Sequence, residues 1–99
     1  MAQRAVRWSL RSIQDKLEIY TYWTEHNGST RYAEKLDRLF NEIMELACIF
    51  PNSGVPTELD DIRFHTVRNF KLVYRVTPAT IDVVTIWDND RDPESLRIQ

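Results

Sequence analysis

Ile62-Arg63-Phe64-His65-Thr66-Val67-Arg68-Asn69-Phe70-Lys71-Leu72-Val73-Tyr74-Arg75-Val76 alternates with a period of two over most of its length. This is the pattern of two paired strands with one face sunk in a core. Residues opposite each other on antiparallel strands share a face. If Phe64 and Thr66 lie on the same face as Phe70 and Leu72, the connecting loop has an odd number of residues. Three residues centred near Arg68-Asn69 satisfy this. Arg63, His65, Lys71 and Arg75 then emerge together on the opposite face. Downstream, a four-residue turn Thr77-Pro78-Ala79-Thr80 pairs Val76 with Ile81 and Arg75 with Asp82, which gives Arg75 a cross-strand ion-pair partner. Ile81–Trp87 reads as the next strand, and parity places Trp87 on the helix side as a lid over the core.

Upstream the period is that of helices. Tyr32, Leu36, Leu39, Phe40, Ile43, Leu46, Ala47 and Phe50 recur at helical spacing, and Ser29 or Thr30 is positioned to cap this helix. Pro51-Asn52-Ser53-Gly54-Val55-Pro56 stops it and forms a loop. An earlier stripe, Ile13, Leu17, Ile19, Tyr20, Trp23 and Thr24, predicts a helix capped by Ser12 and closed by Asn27-Gly28. The short connection between the two makes them an antiparallel hairpin. Ala5–Leu10 reads as a first strand, and Asp92-Pro93-Glu94 opens a short final helix. The expectation is a single α+β domain over residues 1–99: an N-terminal strand, an antiparallel helix hairpin, then a three-stranded antiparallel sheet with the helices on one face.

The 99 residues are 42% hydrophobic and 28% charged, the balance of a soluble globule. No apolar run reaches the ~18 residues of a membrane span, and nothing at the start reads as a signal peptide, so the expected location is cytoplasmic. Cys48 is the single cysteine. It excludes an internal disulfide and reads as a small core hydrophobe. The formal net charge of −2 hides a segregation, with residues 1–13 at +3, 14–61 at −6, 62–81 at +4 and 82–99 at −3. Such a chain is a poor general nucleic-acid binder, yet its basic stretch can hold a phosphate locally.

Arg63, His65, Lys71 and Arg91 are the residues whose convergence would form a site. Cleavage of RNA by its own 2′-hydroxyl needs a proton acceptor, cations around the phosphate and a proton donor. His65 can move protons near neutrality, and Arg63, Lys71 and Arg91 can hold the phosphate. The same face could dock an acidic peptide. Asp88 and Asp90 are read as turn formers rather than a metal pair, and His26 as a cation at a helix C-terminus.

The order of these segments resembles the RelE/ParE toxins of bacterial type II toxin–antitoxin (plasmid stabilisation) systems. The segments that carry it are Phe50-Pro51 and its loop, Phe70-Lys71-Leu72-Val73-Tyr74-Arg75-Val76, and Ile86-Trp87-Asp88-Asn89-Asp90-Arg91-Asp92-Pro93-Glu94. In RelE-like members, the resemblance implies a metal-independent endoribonuclease (an mRNA interferase) acting on mRNA at the ribosome. Arg63, His65, Lys71 and Arg91 fall at that branch's basic positions, with His65 as acid/base. ParE-like members instead inhibit DNA gyrase without an enzymatic step, and the long hairpin and Arg91-Asp92-Pro93 resemble that branch more. An inactivated module that retains only antitoxin binding is the third reading. All three imply a cognate antitoxin in a toxin–antitoxin hetero-oligomer, with no cofactor, no metal and no membrane. The expectation leans to RNA cleavage.

Overall fold

The computed structural model describes residues 3–90. Arg91 and the expected helix after Asp92 lie outside the described residues. Within them the chain runs β1 (Ala5–Trp8), α1 (Leu10–Asn27), α2 (Arg31–Ile49), a 3₁₀ turn (Pro51–Ser53), β2 (Val55–Pro56), β3 (Ile62–Val67), β4 (Phe70–Val76) and β5 (Thr80–Asp88). The strands form one sheet in the order β1-β5-β4-β3-β2, with β1 parallel to β5 and the other neighbours antiparallel. The α+β layout expected from the sequence is present. Beyond it, the Pro-rich loop contributes the two-residue strand β2 at the sheet edge.

The first helix starts earlier than its Ser12 reading. Ser9 is the N-cap: its Oγ accepts from the Ser12 amide at 3.0 Å and donates to Val84 O at 2.9 Å. Val84 is the extra residue of a bulge in β5, where Val73 faces Thr85 but Tyr74 faces Val83. The cap therefore also satisfies a carbonyl that the bulge takes out of the ladder. Ser12 lies within the first turn, fully buried, donating to Ser9 O. One turn on, the Asp15 carboxylate accepts from the Thr85 hydroxyl at 2.5 Å and the Ile86 amide at 3.0 Å. These bonds fasten α1 to β5 beyond the end of β1.

Gly28 closes α1 in the left-handed region with φ 66°, the conformation in which glycine carries no Cβ penalty. The α2 stripe is centred on Ala33, Leu36, Phe40, Met44, Ala47 and Cys48, all buried. Leu46 falls on the flank of this line, while Phe50 lies past the helix end, where helical periodicity no longer places it; both are exposed. Phe40 stacks on Tyr20 and meets Phe70 edge-on, which joins both helices to β4. Phe70, Leu72 and Tyr74 with Ile81, Val83 and Ile86 complete this core.

The main correction concerns the β3–β4 hairpin. Its register pairs Val67 with Phe70, His65 with Leu72 and Arg63 with Tyr74. The loop is thus two residues, Arg68-Asn69, with Arg68 at φ 56° as primed two-residue turns require. Reducing the loop from three residues to two exchanges the faces of β3 relative to β4. Arg63 and His65 stand on the helix side with Tyr74, while Phe64, Lys71, Val73 and Arg75 share the outer face. Trp87 pairs with Lys71 and so is also an outer residue, not a lid on the helix side. β3 tolerates polar groups on its inner face because the 51–54 turn, rather than apolar helix surface, supplies their partners.

The β4–β5 register agrees with the sequence, Val76 opposite Ile81 and Arg75 opposite Asp82. The ion pairs do not. Arg7 from β1 takes the Asp82 carboxylate with two donors at 3.1 and 3.3 Å, and Arg75 reaches Asp61 at 3.0 Å. Parallel pairing of β1 places Arg7 directly beside Asp82, a neighbour that alternation alone does not reveal.

Candidate functional site

Residues 51–54 cross the inner end of β3 as a strap, and three side chains hold it. Arg63 Nη1 donates to Gly54 O at 2.8 Å and Asn52 O at 3.3 Å. His65 Nε2 lies 2.9 Å from Ser53 Oγ. The Tyr74 hydroxyl donates to Pro51 O at 2.9 Å and accepts from the Gly54 amide at 3.0 Å. The His65 ring lies nearly parallel to that of Tyr74, with centroids 5.9 Å apart and planes at 13°. Arg63, His65, Ser53 and Tyr74 thus form one connected polar group. Arg63 and His65 were legible in the sequence. Ser53 and Tyr74 were not, because the face of Tyr74 relative to Arg63 and His65 depends on the length of the loop at Arg68-Asn69.

Burial pushes the His65 pKa below its ordinary value of 6.5, so the fold favours the neutral ring. The stability this contributes is present above the ordinary value and is lost as pH falls through the folded value. Urea midpoints are therefore expected to fall from about pH 6.5 to 5 in the native chain and to fall less in His65→Gln. An equal slope in the two proteins would refute this.

Lys71 belongs to a different surface. Its Nζ lies 4.9 Å from the Phe64 ring centroid on the outer face, a cation–π contact between two half-buried side chains. The sheet separates it from Arg63 and His65. Of the four residues expected to converge, two meet, Lys71 lies on the opposite face, and Arg91 is outside the described residues. The Arg63 guanidinium and His65 Nε2 already have partners within the chain. Their observed work is to fix the strap.

The remaining candidates resolve as structural elements. Asp88 Oδ1 accepts from the Asp90 amide at 2.9 Å, and Asp90 accepts from Asn69 Nδ2 at 3.2 Å, so both acids shape the turn after β5. Among the described residues there is no group of three His, Cys, Asp or Glu side chains able to hold a metal. His26 lies in the last turn of α1, stacked on Tyr22 with centroids 5.7 Å apart. Among the described residues no helix is long and apolar enough to cross a membrane.

The family model for the ParE toxin of the type II toxin–antitoxin system parDE matches residues 6–93. The chain belongs to the ParE toxin family. No curated protein matches it. Among solved structures, a chain described as the chromosomal ParDE TA system from P. aeruginosa superposes with a TM-score of 0.73 at 20% identity. The match covers 87% of this chain and 96% of that one, so the two share a fold. The ParE match includes all but the first residue of β1, the helix hairpin and the whole β3–β5 unit that carries the strap. This protein is thus a toxin of a type II toxin–antitoxin system.

Proposed function

We propose that this ParE-family toxin arrests growth by binding DNA gyrase, without cutting RNA, and that a cognate antitoxin silences it in the cytoplasm. Residues 1–99 act as one toxin domain in this reading. The observation that supports it most is the division of the cations by the sheet. A phosphate in a strand-cleaving site needs its donors on one side at hydrogen-bond range. Lys71 opens on the side opposite to Arg63 and His65, and those two are committed to the strap. The antitoxin partner rests on the family, which is defined by its toxin–antitoxin pairing, and on the ParDE description of the structurally similar chain.

The full chain is expected to inhibit DNA supercoiling by purified gyrase in a dose-dependent manner. Stoichiometric antitoxin should relieve this inhibition. Transcript ends mapped after induced expression should show no ribosome-phased cuts. Intact supercoiling activity at saturating toxin would overturn the proposal, and codon-phased cuts abolished by His65→Ala would replace it with the nuclease reading.

A further inference from the structure

The strap that Arg63, His65 and Tyr74 fasten also presents a hydroxyl nucleophile at the surface. Ser53 is exposed, and its Oγ lies 2.9 Å from His65 Nε2. A hydroxyl in hydrogen-bond reach of an imidazole that a third group orients is the arrangement that activates a serine. Here the orienting group is Tyr74. Its ring lies nearly parallel to that of His65, and its hydroxyl is anchored twice, to Pro51 O and the Gly54 amide. Ser53 is held as firmly. Its amide donates to Phe50 O at 3.0 Å, and Arg63 grips the carbonyls of Asn52 and Gly54 on either side of it. Burial keeps the His65 pKa below its ordinary value, so the ring is a neutral base at pH 7.

We propose that Ser53 is an acyl-acceptor site, a nucleophile that His65 activates toward small activated esters and thioesters. With the imidazole proton on Nδ1, the Ser53 hydroxyl donates to Nε2. Ser53 Oγ forms a bond to the acyl carbonyl carbon, and its proton passes to Nε2. The carbonyl carbon's bond to the leaving oxygen or sulfur then breaks. The leaving group departs with the electron pair and takes the proton from Nε2. The Arg63 cation favours the negative charge that develops on the carbonyl oxygen. The Ser53 and Gly54 amides are already donated to Phe50 O and Tyr74, so neither serves as an oxyanion-hole donor and both acylation and hydrolysis are slow. A good leaving group offsets this in the first step only, since the second must expel the serine alkoxide. The acyl group therefore stays on Ser53 as a modification instead of turning over.

The full chain mixed with p-nitrophenyl acetate should release a burst of one equivalent of p-nitrophenolate, and peptide mass spectrometry should place the acetyl group on Ser53. Ser53→Ala changes an exposed residue and should keep the native circular dichroism spectrum while losing burst and label. His65→Gln keeps the hydroxyl and should slow acetylation of Ser53 at least ~100-fold. Tyr74→Phe loosens the strap but retains the base, and should slow it less than His65→Gln does. Surface lysines acetylated in the same samples are the internal reference, at equal rates in all four proteins. The Ser53 rate should rise as His65 loses its proton and level off by about pH 7.5, while the lysine rates climb beyond about pH 9. Acetyl groups on amines alone, equal Ser53 rates in the native chain and His65→Gln, equal losses in His65→Gln and Tyr74→Phe, or a Ser53 rate that climbs with the lysines would each overturn the proposal. None of these results depends on the gyrase assay.

Discussion

Phe40→Ala is expected to lower the free energy of unfolding by about 3–5 kcal/mol, measured by urea denaturation followed by circular dichroism. Phe40 is 0% exposed, and its ring joins α2 to two other elements: Tyr20 of α1 at 6.2 Å between centroids and Phe70 of β4 edge-on at 5.7 Å. Truncation removes the transfer free energy of a benzyl group and leaves a cavity whose walls belong to separate elements. Those walls can collapse only if the hairpin moves toward the sheet. Asp15 and Ser9 oppose that movement, because they tie α1 to β5 through bonds to Thr85, Ile86 and Val84. A loss of this size is a large part of the 5–15 kcal/mol that such domains possess. Phe50→Ala is the matched control. Phe50 is 59% exposed, and its loss should cost under about 1 kcal/mol. A Phe40→Ala protein within about 1.5 kcal/mol of the native chain would show that the cavity closes and that the hairpin is not held as described.

The comparison of Phe40 with Phe50 shows what one-dimensional periodicity can and cannot resolve. Both fit the same stripe in the sequence, because spacing specifies a helical face but not where the helix ends. The elements that depend on local chemistry were legible: the hairpin tip at Asn27-Gly28, the α2 core line near Leu36 and Phe40, and the Val76–Ile81 register. The features that depend on a distant partner were not. Ser9 outcompetes Ser12 as the cap because a bulge in β5 presents Val84 O to it. Arg75 loses Asp82 because β1, far away in sequence, places Arg7 alongside that carboxylate.

The site was half legible for a related reason. Arg63 and His65 are two apart on one strand, so they share a face whatever the register. Lys71 is on the next strand, and its face depends on the loop length. One residue of difference in that loop moved it through the sheet. The expectation of RNA cleavage drew on the resemblance at Arg63, His65, Lys71 and Arg91 and needed those groups on one face; the gyrase reading gains support where that convergence fails for Lys71.

Tyr74 and Gly54 should be the energetic centre of the strap, with Gly54→Ala costing more than about 2 kcal/mol. Gly54 has φ −77° and ψ 163°, a conformation open to any residue, so the penalty is steric. A Cβ there would overlap the Tyr74 hydroxyl and lie 2.9 Å from Phe64 O and 3.0 Å from Tyr74 Cε1. Tyr74→Phe removes the hydroxyl and leaves the Gly54 amide and Pro51 carbonyl without their partner, at about 1–3 kcal/mol. The double variant should cost less than the sum of the two singles by about 1 kcal/mol, because the closest overlap has gone while the Phe64 carbonyl still crowds the methyl. Burial also pushes the Tyr74 phenol above its ordinary pKa of 10. Its contribution to stability is therefore complete below that value and is lost as pH rises through the folded value. Tyr20 is raised too, by burial first and then by its bond to Asp37, so the alkaline loss has two sources. Tyr74→Phe should flatten that loss only in part between about pH 9 and 11. Additive singles, or an alkaline slope unchanged by Tyr74→Phe, would mean that the strap is held by Arg63 and His65 alone.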